Sequence, residues 1–150
     1  MSVLLGCGVY TFNPRGKSDI KSIAIERFEN NTAEYGLEDR MTDQIIDAFI
    51  SDGNLKVVPN ENADALLSGT LTNYERKPYR YDENDQVESY AIRMLFDIQL
   101  KNPEDESEIW RESMSQEGVY LVDSETEEDG QQRAISRLIE SVINKTTKNW

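Results

Sequence analysis

Apolar positions fall into two rhythms along this chain, one of period two and one of period near four, and their order outlines the fold. Ile20 to Phe28 carries Ile23, Ala24 and Ile25 with little charge, as a strand covered by a helix should. Leu37, Met41, Ile45 and Phe49 then recur every fourth residue, with Ile46 and Ala48 beside them, which predicts a helix from about Tyr35 to Asp52 with one apolar stripe. Glu34, Glu38 and Asp39 at its start suit the exposed amide end, and Gly53 marks its stop. A strand over Leu55 to Val58 ends at Pro59, and another opens in Ala63 to Thr70.

Beyond Gly69 the pattern is that of a long antiparallel hairpin turning at Asp82 to Gln86. Leu67, Gly69 and Leu71 share one face, while Ser68, Thr70, Thr72 and Tyr74 share the other. The returning strand is the clearest in the sequence: Tyr90, Ile92, Met94, Phe96, Ile98 and Leu100 predict that its even-numbered side is core. Ile109 to Met114 supplies one more strand, and Gly118 to Glu125 has loop character. A second helix develops from Thr126, with Glu127, Glu128 and Asp129 in its first turn and Ile135, Leu138, Ile139, Val142 and Ile143 at helical spacing. The predicted class is α+β, a mixed four- to five-stranded sheet with two helices on one face in the order strand-helix-strand-strand-strand-strand-helix. The first helix is expected to be a right-handed crossover if its flanking strands are parallel.

The 150 residues fit one domain, expected to span 19–150 behind a terminal segment 1–18. With 16 Lys and Arg against 29 Asp and Glu, the net charge of -13 repels a phosphate backbone and argues against nucleic acid. Histidine is absent and cysteine occurs once, which excludes imidazole catalysis, thiolate or imidazole zinc sites and an internal disulfide. After the first residues no stretch approaches the roughly 20 apolar residues of a membrane-spanning helix. Val3-Leu4-Leu5-Gly6-Cys7 matches the end of a lipoprotein signal, shortened or incomplete at its start, in which Cys7 would become the acylated terminus. The other reading of Cys7 is an incidental thiol. Asn13 to Ser18 has turn composition and reads as a tether.

Candidate chemistry is sparse. Asp82, Asn84, Gln86 and Glu88 partly match a calcium loop, but Val87 stands where the sharp-turn glycine belongs and Arg93 where the bidentate glutamate belongs, so no metal or cofactor site is expected. No nucleophile elbow, phosphate-cradling loop or dinucleotide fingerprint occurs, and an enzyme is not expected. The one basic cluster is Arg76, Lys77 and Arg80, interleaved with Tyr79 and Tyr81. It can pair with phosphates, or merely neutralise Glu75, Asp82 and Glu83 at a wet hairpin end.

The wording of Ile23 to Glu34, of Leu37 to Phe49, of Asp52 to Val58 and of Ala63 to Thr70 resembles the LptE-type lipopolysaccharide-assembly lipoproteins. The resemblance covers most of the chain. It implies a non-enzymatic lipoprotein anchored through Cys7 on the periplasmic side of the outer membrane, plugging an LptD-type β-barrel and assisting lipopolysaccharide insertion. Outward strand positions such as Thr70, Thr72, Arg93, Asp97 and Gln99 would then meet the barrel, and Arg76, Lys77 and Arg80 the phosphates of lipopolysaccharide. The family meets lipopolysaccharide through basic residues, and this chain departs from it in being strongly acidic overall. The alternative is a periplasmic lipoprotein module of another envelope system, a cell-wall synthase activator or a secretion-pore component. A carboxylate enzyme would need a deep pocket with converging acids.

Overall fold

The computed structural model describes residues 20–148; Cys7, the tether and the chain's last two residues lie outside the described residues. The element order is β1 (Ser22–Ile25), β2 (Glu29–Asn30), α1 (Leu37–Asp52), β3 (Lys56–Val57), a single 3-10 turn (Asn60–Asn62), β4 (Ala65–Tyr81), β5 (Val87–Lys101), β6 (Glu108–Leu121) and α2 (Glu127–Thr147). The class is α+β, as the two rhythms predict. Among the described residues the sheet has six strands rather than four or five, in the order β3-β1-β4-β5-β6, with β2 farther along the flank of β4 that β1 occupies. The difference comes from the first run. It bends after Ile25, and Phe28 turns inward with its amide on the Thr42 hydroxyl at 2.9 Å, so Glu29–Asn30 pairs farther along β4 as a separate strand.

β1 is parallel to both β3 and β4, so α1 crosses between parallel neighbours. Its stripe faces the sheet: Leu37, Met41, Ile45 and Phe49 are buried. The helix begins at Leu37 rather than Tyr35, because Gly36 has φ 85° and Tyr35 stands in solvent. Gly53, at φ 73°, returns its amide to the Phe49 carbonyl and ends the helix.

β4 and β5 form the spine of the sheet, in antiparallel register from Leu66 opposite Lys101 to Tyr81 opposite Val87. The even-numbered side of β5 is core, with Ile92, Met94, Phe96, Ile98 and Leu100 all buried beneath the helices. On β4 the alternation changes phase. A bulge at Thr72 inserts one residue between the Leu71–Phe96 and Asn73–Leu95 pairs, so Tyr74 and Arg76 come opposite Met94 and Ile92 on the helix side. The expectation that Tyr74 shares the wet face with Ser68 and Thr70 is thereby corrected. The expectation of a loop from Gly118 is corrected too: β6 continues to Leu121, where Tyr120 is buried and stacks on Tyr90 with ring centroids 5.7 Å apart. α2 then packs over β5 and β6, with Ala134, Ile135, Leu138 and Val142 buried.

Candidate functional site

The bulge at Thr72 builds the most structured polar assembly in the described residues. Once Tyr74 faces the helices, its hydroxyl donates to Glu127 Oε1 at 2.6 Å and accepts from Gln131 Nε2 at 2.9 Å. Burial first, then the Glu127 carboxylate, push the phenol well above its ordinary value, so it remains a neutral donor. Gln131 also accepts from Arg40 of α1 at 3.0 Å, and Arg40 reaches Gln132 and the Glu128 carbonyl as well. The two helices are therefore tied to each other and to β4 by one network.

Arg76 sits at the open end of this network. Its guanidinium lies over the Tyr90 ring, 4.6 Å from the centroid, with Tyr120 Oη at 3.5 Å and Glu127 Oε2 at 3.6 Å. These contacts hold it firmly protonated, the Tyr120 hydrogen bond being the largest cause. Lys77, one residue on, points to the other face and pairs with Glu75 at 3.1 Å. Arg80 has no partner among the described residues. The three basic residues of the sequence cluster thus divide between two faces of the hairpin. Tyr90, Tyr120 and Glu127, which hold Arg76, escape a sequence reading because they meet it only through the bulge.

The hairpin turn is closed by its own side chain. Asp82 Oδ1 accepts the amides of Asn84 at 2.8 Å and Gln86 at 3.0 Å, which fixes the turn. No group of three metal-ligating residues comes together among the described residues.

The face of the sheet away from the helices is polar and laterally paired. Arg111 makes a two-point contact with Asp97 at 3.0 and 2.5 Å, which holds that carboxyl below its usual range, and Arg93 meets Glu117 at 3.3 Å. Thr70, Asp97 and Gln99 line a cleft of about 200 Å³ there with Ser68 and Arg111. Thr72, placed with them by the sequence pattern, spends its hydroxyl on the Leu95 carbonyl at 3.1 Å. This surface offers hydrogen bonds and charge pairs for adhesion rather than a converging acid and base.

A sequence model of the lipopolysaccharide-assembly family LptE matches residues 20–146. The chain belongs to this family. The match spans α1, α2 and all six strands, so the helix-covered sheet is the family's domain and not an addition to it. LptE proteins are envelope lipoproteins, and among the described residues of this one no helix is long and apolar enough to cross a membrane. No curated protein sequence matches the chain. Among solved structures, a protein from Xanthomonas campestris superposes with TM-score 0.65 at 11% identity, over 87% of this chain and 85% of that one. A hypothetical protein from Chlamydia trachomatis gives 0.60 at 11% identity over 85% and 98%. PelC from Paraburkholderia phytofirmans, solved as a dodecamer, gives 0.56 at 16% identity over 85% and 88%. At such identities these likenesses establish the fold alone.

Proposed function

We propose that this protein is an outer-membrane lipoprotein that seats inside an LptD-type β-barrel, plugs its lumen and assists lipopolysaccharide insertion into the outer leaflet. The observation that carries the reading is the one-sidedness of a sheet belonging to this family. Both helices lie on one face, and the other face is a field of paired charges around Asp97–Arg111 and Arg93–Glu117. A barrel lumen is polar, and a rigid surface whose charges are already paired can lie against it without stranding an ion. The action is steric and adhesive, not catalytic. An acylated Cys7 and the tether behind it would hold the domain at the periplasmic side of the membrane.

Arg76, Lys77 and Arg80 are the proposed contacts for lipopolysaccharide phosphates. Arg80 has no ion pair among the described residues, whereas a phosphate at Arg76 would have to displace Glu127. The test has two parts. Purification of the native protein from detergent-solubilised outer membranes should bring down a heat-modifiable β-barrel, and its consistent absence would refute the plug. In a lipopolysaccharide pull-down, Arg76→Glu with Arg80→Glu should reduce capture by about a hundredfold or more, since each of the two charge-assisted bonds contributes roughly 1.5–3 kcal/mol. Unchanged capture removes the hairpin as the binding site. The PelC dodecamer has the same fold and supports a second reading, a ring-forming component of another envelope system. Sedimentation of the isolated protein as a large homo-oligomer would favour that reading over the plug.

A further inference from the structure

The outer edge of β6 is closed at one end and open at the other. β6 pairs only with β5, and Val122, just past its end, donates its amide to the Glu88 carbonyl. In an antiparallel ladder this makes even-numbered residues of β6 the ones bonded to β5, and the amides and carbonyls of odd-numbered residues point outward. Two of those carbonyls are capped by α2: Arg133 donates to Val119 O at 2.7 Å, and Arg137 to Glu117 O at 2.9 Å.

The capping follows a geometric step. Four residues of helix advance about 6 Å and two residues of strand about 6.8 Å, so a side chain at every fourth helix position meets every second carbonyl of β6. Continued from Arg133 and Arg137, the series assigns residue 141 to Ser115 O and residue 145 to Ser113 O. Residue 141 is a serine, too short to reach, and its hydroxyl accepts from Gln116 Nε2 at 3.2 Å. Lys145 turns aside to Glu112 at 3.3 Å. No described residue caps the outward amides and carbonyls of Ser113 and Ser115, and a groove of about 460 Å³ opens between them and Ser141, Asn144 and Lys145.

Unprotected sheet edges are normally blunted by charge, proline or a bulge. From Ser113 to Gln116 the edge has none of these: its register with β5 is unbroken, its outward positions at Ser113 and Ser115 carry small hydroxyls, and the charges just before it are paired, Arg111 with Asp97 and Glu112 with Lys145. We propose that residues 111–115 of β6 are a docking edge for an extended segment of a partner protein, which adds there as a further strand with small or hydroxylated side chains over Ser141. A bare strand suits the gap better than a second copy of this chain, because a second copy would bring its own α2 and the arginines over its edge into the same groove. The inference rests on the sheet and α2 alone and stands apart from the barrel reading.

The probe is a short peptide of alternating threonine and valine with lysine at both ends, and the readout is amide exchange of the folded domain by NMR. The amides of Ser113 and Ser115 should slow by about tenfold or more on peptide addition, while those of Glu112 and Met114, already bonded to β5, should not change. Ser113→Pro, which removes only an outward amide and is tolerated at an edge, should abolish the protection, and so should Ser141→Arg, which extends the cap. Absence of protection, protection that survives both variants, or a concentration-dependent dimer protecting the same amides without peptide would each overturn the proposal.

Discussion

At Gly118 one missing carbon decides how close α2 can lie. A Cβ there would stand 1.9 Å from the Gly130 carbonyl oxygen and 2.9 Å from the Ala134 amide, both backbone atoms of the helix, so no rotamer change can relieve the contact. Gly118→Ala therefore has to lift α2 off β6. It would loosen Tyr120 under Tyr90 and draw Arg133 and Arg137 away from the edge carbonyls together. The expected loss is about 3 kcal/mol, at the upper end of what overpacking usually costs, and a urea titration with an unchanged m-value measures it. Gly69 marks a second close approach, but there the obstacles are the Phe28 ring and the Ile98 methyl at 2.6 to 2.8 Å, which are side-chain atoms able to yield.

Among the elements, α2 shows most directly how local sequence becomes structure. The Thr126 hydroxyl accepts from the Asp129 amide at 3.3 Å, and Asp129 accepts from the Thr126 amide at 2.8 Å, a reciprocal cap at the point where the acidic turn begins. Thr126→Ala should cost about 1 kcal/mol and fray the first turn that carries Glu127 to Tyr74 and Arg76. Thermal melts give the first effect, and loss of Tyr74 hydroxyl protection gives the second. This helix, α1 and β5 were legible because a single apolar period runs through each of them. Two features were not. The bulge at Thr72 leaves no mark in a threonine-rich alternation, and it moves Tyr74 and Arg76 to the opposite face from the one their spacing implies. Val119 and Tyr120 look like loop because Gly118 precedes them, and only contact with Gly130 shows that glycine to be a packing device. The candidate site inherited both gaps. Its basic residues stand out in an acidic chain, while the partition of Arg76 from Lys77, and the aromatic cradle under Arg76, depend on the unseen phase change.

For the whole molecule, net charge and local pairing act in opposite directions on stability. A charge of -13 on 150 residues strains the compact state, and with no histidine the range around pH 6 contains no side chain of ordinary pKa to relieve it. Glu38, Asp39, Asp97 and Asp129 are nonetheless held below their usual values, by Asn30, Arg27, Arg111 and the Thr126 amide respectively. A carboxylate whose folded pKa is depressed contributes stability that is complete above its unfolded value near 4 and is lost as the pH falls through the folded one. Against this, the compact state gathers a net charge of -13, so acid that lowers the net charge also lowers the repulsion. At low salt the melting temperature should accordingly rise from pH 7.5 to about 5 and fall below about 4. Added sodium chloride should raise it at pH 7.5, by screening repulsion between exposed charges, and should flatten the limb above pH 5. Calorimetry at two ionic strengths separates the two influences. A melting temperature that drops steadily from neutral pH, or that falls with added salt, would mean that the paired charges of the open face outweigh the net field, and a domain of that kind would resist partners by shape rather than by charge.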